Sequence, residues 1–199
     1  DSVLKTIQLR NKGALAYEYL ILALGSETRY FDIPGLREYG LALKTFDDAI
    51  RMRNTIEKLL KEKTELHIAV GGAGSAGVEL VAEFVNFICI MQEKFLPDAK
   101  KCSVFFTLIE ATPDILPGFE PWIVALTQKR LRELGVTIKT NATIASVSET
   151  HIIFKNGETQ KKDILIWMGG VTGPAIIRTF GLEISSRDSL VIDEYLRTK

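Results

Sequence analysis

Gly72, Gly74 and Gly77, in the run Gly71-Gly72-Ala73-Gly74-Ser75-Ala76-Gly77, have the spacing that lets a backbone approach a diphosphate. Gly72 permits a tight turn. Gly74 presents no Cβ to an incoming pyrophosphate, and Gly77 allows a following helix to pack closely on its strand. Free N–H groups and the positive end of that helix dipole then face the phosphates. Glu110 is the second informative residue: an acid closing a strand after such a turn accepts hydrogen bonds from an adenosine ribose. It stands further from Gly72 than the roughly 20 positions of a compact unit, and a long helix and its loop take up the excess. The carboxylate also repels a 2′-phosphate. Ala111, Thr112, Pro113 and Asp114 follow with no Arg or Lys, so the reading is NAD(H) rather than NADP(H). The plainer readings are a structural glycine turn and a solvent-facing strand end.

Other candidate groups point to less. Glu79 and Glu83 stand on the first turns of the helix, where favourable interaction with its dipole alone accounts for Glu79. His67 falls inside a strand and His151 opens one, and no Ser/His/Asp arrangement or metal-ligand cluster can be assembled. With no positioned acid or base, the chemistry must come from a cofactor.

The elements around the glycines support this reading. Residues 66–70 are an apolar strand, and Val78, Val81, Phe84, Val85 and Ile88 recur at helical spacing after the turn. The pattern breaks at residues 96–101. Residues 103–109 then read as a second strand, 121–134 as a helix stopped by Gly135, and 136–140 as a third strand. This βαβαβ order predicts an α/β, Rossmann-like parallel sheet. Residues 143–147, 151–154 and 162–167, with Asn156-Gly157 as a hairpin signal, predict an antiparallel β-meander after it. Upstream, residues 3–9 read as a strand and 17–26 as a second, with 20–24 buried on both faces. Residues 31–35 form a turn at a domain boundary, and 47–63 a surface helix covering the sheet.

Equal numbers of basic and acidic residues, 25 of each, exclude a net electrostatic pull toward nucleic acid or an acidic membrane. No apolar run reaches the roughly 20 residues of a spanning helix. The chain opens on Asp1 without a signal peptide, as expected of an excised segment. Cys89 and Cys102 fit neither a CxxC pair nor a zinc site; Cys89 reads as a small buried hydrophobe in a reducing compartment.

Three stretches taken together carry a resemblance: residues 19–26 (YLILALGS), 71–80 (GGAGSAGVEL) and 166–171 (IWMGGV). Their order and spacing resemble the two-dinucleotide-binding-domain flavoproteins, and most closely the type II NADH dehydrogenases. The resemblance covers nearly the whole chain. It implies that residues 1–35 are a partial FAD-domain segment, 36–167 an NADH-binding domain, and 168–199 a return toward the FAD domain. It also implies that the turn of Ala23 and Gly25 touches FAD, that Glu79 lies near the nicotinamide half of NADH, and that Gly169 and Gly170 border the meeting of nicotinamide and flavin. The pattern departs from the family in lacking the first, FAD-binding GxGxxG, the later Gly-Asp segment and the C-terminal quinone and membrane region. Leu24 stands where many relatives have Thr.

The expected activity of the intact parent is therefore hydride transfer from NADH to FAD, with electrons passing to a quinone. This chain alone is expected to be inactive and not to retain FAD. Its segment is expected to make no membrane contact, while the parent is placed in the cytoplasm at the inner face of the cell membrane. Truncated sheet edges predict self-association as a homo-oligomer. The alternatives are a ferredoxin-type or other flavoprotein reductase of the same fold, and a non-catalytic NADH-binding or scaffold module.

Overall fold

A computed structural model describes residues 4–95, 103–186 and 188–198. The chain divides into two compact units, one joining Asp1–Arg29 to Val171–Lys199 and the other spanning Tyr30–Gly170. In the first unit, Thr6–Leu9 (β1) and Gly13–Ala16 (β2) form an antiparallel hairpin, with Thr6 opposite Ala16 and Leu9 opposite Gly13. Glu27–Thr28 (β3) pairs antiparallel with Val171–Thr172.

The strand expected over residues 17–26 is not formed. Tyr19 and Ile21 are 87% and 88% exposed, and Leu20 and Leu24 are exposed as well. A strand apolar on both faces is stable only between neighbouring strands and beneath covering layers. Among the described residues the hairpin and the β3 pair are the ladders of this unit, and neither includes residues 18–26 as a paired strand.

The second unit begins with Leu36–Tyr39 (α1) and the two-residue strand Leu41–Ala42 (β4). Phe46–Glu62 (α2) starts at a capping box: Asp48 N–H donates to Thr45 Oγ1 at 3.1 Å, and Thr45 N–H donates to Asp48 Oδ2 at 2.8 Å. Next come Leu66–Gly71 (β5), Ser75–Phe95 (α3), Val104–Ile109 (β6), Pro121–Glu133 (α4) and Thr137–Lys139 (β7). These supply the predicted parallel βαβαβ core. Ile144–Val147 (β8), His151–Phe154 (β9), Thr159–Lys161 (β10) and Ile164–Trp167 (β11) complete the unit. Beyond it, Val171–Thr172 is β12, followed by a 3-10 helix over Ala175–Phe180.

The meander differs from its expected form. β8, β9 and β10 make the antiparallel sheet, while β11 enters the parallel sheet, whose order is β4-β11-β5-β6-β7. Ile164 lies opposite Ile68 and Trp167 opposite Gly71. Composition gives the physical reason. All four β11 side chains are buried, as a strand covered on both faces requires, whereas β10 alternates exposed and half-buried residues at a sheet edge.

Alternation along the strands sorts two cores onto opposite faces of the parallel sheet. Ile68, Val70, Phe106, Leu108, Ile164 and Ile166 pack with Met52, Ile56 and Leu60 of α2, Val81 and Ile88 of α3, and Leu131 of α4. Their neighbours Ala69, Ile109, Leu165 and Trp167 pack instead with Ile144, Val147, Ile152 and Phe154 of the small antiparallel sheet. Parallel strands thus end together, with the turns following β5, β6 and β11 side by side. Cys89 departs from its expected form: it is half-buried and disulfide-bonded, and Cys102 lies outside the described residues, as does the predicted break at 96–101.

Candidate functional site

The turn between β5 and α3 is built against two neighbouring strand ends. Gly72 N–H donates to Ile109 O at 2.8 Å, and Met168 N–H donates to Gly71 O at 2.7 Å. Gly72 has φ +102°, and a Cβ there would lie 2.6 Å from Met168 O and 2.8 Å from Gly169 Cα. A side chain is therefore excluded twice, by backbone conformation and by the strand end beside it. A Cβ on Gly77 would overlap the carbonyl oxygen of Gly72, so the first turn of α3 folds directly onto the bend. Above Gly74 there is open space, with no atom within 4 Å of an ideal Cβ. Ser75 and Ala76 are exposed beside it. The N–H groups opening α3 have no intrahelical acceptor, and they flank this space.

Glu110 continues β6 and turns its carboxylate onto the bend. Its Oε2 accepts the N–H of Ala73 at 2.8 Å. Its Oε1 accepts the N–H of Thr112 at 2.9 Å and the Thr112 hydroxyl at 3.1 Å. The backbone on both sides is fixed: Glu110 N–H donates to Lys139 O, Ala142 N–H donates to Glu110 O, and Leu116 N–H donates to Ala73 O. Ala111 is exposed next to it. The acid stays half-buried at the rim with its anion held by three protein donors.

Of the other expected site residues, Gly169 meets the glycine turn through its backbone, and a Cβ on it would overlap the Trp167 indole. Gly170 has open space around it. Trp167 stacks edge-on with Phe31 at 6.3 Å and closes over Gly71, where a Cβ would come within 2.7 Å of the indole. Glu79 and Glu83 are exposed on α3. In the other unit, Ala23 and Gly25 line a cavity of about 380 Å³ together with Leu22, Val171, Ile177 and Leu190. The sequence reading missed Thr112, whose place two residues after an acid is the signal of a side chain bonding back to a strand end. Among the described residues no cluster of three or more His, Cys, Asp or Glu could hold a metal ion.

An open glycine bend at the start of a helix thus stands beside a carboxylate that closes a strand, and the family model for pyridine nucleotide-disulphide oxidoreductases matches residues 2–199. The chain belongs to that family. Among curated relatives within reach of this family member, a probable mitochondrial NADH-ubiquinone oxidoreductase of Schizosaccharomyces pombe is 29% identical over 94% of this chain and 38% of that protein. The mitochondrial external alternative NADH-ubiquinone oxidoreductase of Yarrowia lipolytica is 31% identical over 92% of this chain and 35% of its own length. Among solved structures, NDH2 from Plasmodium falciparum in complex with NADH superposes with a TM-score of 0.81 at 29% identity, over 93% of this chain and 41% of that one. The chain thus spans well under half the length of these relatives. Among the described residues no helix is long and apolar enough to cross a membrane.

Proposed function

We propose that this chain is the NADH-binding part of an FAD-dependent NADH dehydrogenase, an NADH:quinone oxidoreductase in which bound flavin accepts hydride from NADH. The observation that carries this reading is the Glu110 carboxylate held 2.8 Å from the Ala73 N–H, at the edge of the open bend over Gly74. NADH fits these residues. The amides of residues 74–77 take the diphosphate, helped by the positive end of α3. Glu110 accepts the hydroxyls of the adenosine ribose and turns away a 2′-phosphate. Glu79 and the turn at Gly169 and Gly170 lie toward the nicotinamide, and Ala23 and Gly25 toward FAD. Leu20, Ile21 and Leu24 stay exposed rather than joining a sheet, so retention of FAD by this chain alone is not expected.

The role of the chain's own residues is orientation: a dinucleotide pinned at its diphosphate and its ribose leaves one end free to present its reactive carbon. The relatives named for ubiquinone support a quinone as the parent's acceptor, and their mitochondrial names support a mitochondrial rather than a cytoplasmic setting for the parent.

Calorimetric titration with NADH and NADPH tests the reading. The chain is expected to bind NADH in preference to NADPH. Glu110→Arg is expected to weaken NADH by about tenfold, the cost of roughly one charge-assisted hydrogen bond, and to improve NADPH. Silence toward both nucleotides would favour the scaffold reading instead.

A further inference from the structure

Thr112 has no assigned part in nucleotide selection, yet its hydrogen bonds lead directly to the acid that has one. Its hydroxyl carries a single proton and lies within reach of two acceptors, Glu110 Oε1 at 3.1 Å and Asp114 O at 2.9 Å. Its N–H is committed to the same Oε1 at 2.9 Å. Its carbonyl oxygen accepts the N–H of Asn141 at 2.9 Å, so the residue is anchored to the segment after β7 while its side chain is free to rotate its proton.

A carboxylate offers about four lone-pair positions. Three are taken by Ala73 N–H, Thr112 N–H and the Thr112 hydroxyl, leaving about one for a ligand. A ribose diol offers two donors. We infer that Thr112 is a specificity-determining positioning residue: it holds Glu110 square to the ribose subsite, and by turning its proton to Asp114 O it releases a second lone pair for the diol.

The chemistry is a choice between two hydrogen-bond states of one hydroxyl. With the site empty, the hydroxyl donates to the anion and pins its plane. With a diol present, the diol donates to the anion and the hydroxyl keeps a full bond through Asp114 O. Neither state leaves the proton unbonded, so release costs little. A 2′-phosphate brings no donor to trade for the hydroxyl, and meets a carboxylate that cannot swing aside. Thr112 therefore sharpens the preference for an unphosphorylated ribose, acting through Glu110 without touching the ligand's reacting end.

This inference rests on the ribose reading of Glu110, and the test separates the two. Titrations of the full chain with NADH, NADPH and 2′-deoxy-NADH are compared for the native sequence, Thr112→Val, Thr112→Ser and Glu110→Ala. Thr112→Val keeps the N–H and the shape but removes the hydroxyl. It is expected to weaken NADH about five- to tenfold, the loss of roughly one of the diol's hydrogen bonds to a carboxylate no longer held square to it. The ratio of NADH to NADPH affinity should narrow with it, and Thr112→Ser should restore both. The loss on removing the 2′-hydroxyl from NADH should shrink in Thr112→Val. If Glu110→Ala weakens NADH while Thr112→Val leaves affinity and both ratios within twofold of native, the inference is overturned and the ribose reading stands. If Glu110→Ala changes nothing, the ribose reading itself falls and takes this inference with it. A Thr112→Val that weakens all three nucleotides equally, with no rescue by Ser, also overturns it, because that pattern belongs to a merely structural loss.

Discussion

Gly74 and Gly77 stand three positions apart and respond in opposite ways to a side chain. Above Gly74 an added Cβ meets nothing, whereas on Gly77 it overlaps the Gly72 carbonyl. Gly74→Val is therefore expected to leave the thermal midpoint close to native and to weaken NADH about tenfold or more by filling the diphosphate space. Gly77→Val is expected to lower stability by about 1–3 kcal/mol, as overpacking does, and a thermal melt without ligand separates the two. An equal loss of stability in both would show that the space over Gly74 is structural. At this scale much was legible, because each residue type carries its own constraint: positive φ and close approach at Gly72, a carboxylate at Glu110. Thr112 was not legible, because a threonine after a strand is common and its value lies in having two acceptors within reach of one proton.

At the scale of elements, β5 is tied at its start to the segment entering β11. The Asp163 carboxylate, only 5% exposed, accepts the His67 N–H at 2.7 Å and pairs with the Lys63 ammonium. Burial alone pushes the Asp163 carboxyl upward, but the Lys63 ammonium and the His67 N–H outweigh it and hold it below the ordinary value of 3.8. The folded state thus binds this proton less readily than the unfolded chain. The stabilisation is fully present above the unfolded value and is lost as pH falls from about there through the lower folded value. Asp163→Asn is expected to cost about 1–3 kcal/mol at pH 7, the range for an anion's hydrogen bonds. Urea unfolding at pH 7 and at pH 3 checks the sign, since the gap between native and variant should narrow in acid. The same segment shows where pattern reading stops. Residues 162–167 look like a hairpin partner in sequence, because Asn156-Gly157 announces a hairpin. The hairpin is real but is completed by Thr159–Lys161, and Ile164–Trp167 pairs with residues nearly a hundred positions earlier. β4, with two residues, is too short to give any period. Long-range pairing of this kind leaves no local signature.

At the scale of the whole molecule, the unit formed by the two chain ends leaves apolar surface in water. Tyr19, Ile21, Leu15 and Leu24 are all exposed in the unit formed by the two chain ends. Exposed apolar surface of this kind is uncommon on monomers and drives association. Sedimentation velocity is expected to show a weight-average mass that rises with concentration, and Ile21→Lys is expected to flatten that rise. A mass independent of concentration in the native chain would remove this expectation. The burial of residues 20–24 on both faces was misread for the same reason: an apolar run reports what it needs, and the partners it needs are not among the described strands of this chain. One consequence of the sheet order remains. β11 lies between β4 and β5, and Met168 then closes against Gly71 and Gly72. A ribosome that has delivered residues only as far as 163 has made every helix of this unit and four of its five parallel strands, yet the missing one is internal. Until it arrives, β4 has no partner, β5 is left as a bare edge, and the glycine bend lacks one wall. Translation therefore finishes the walls of the glycine bend last within this unit, and a stalled nascent chain exposes the raw sheet edge that invites mispairing with its neighbours.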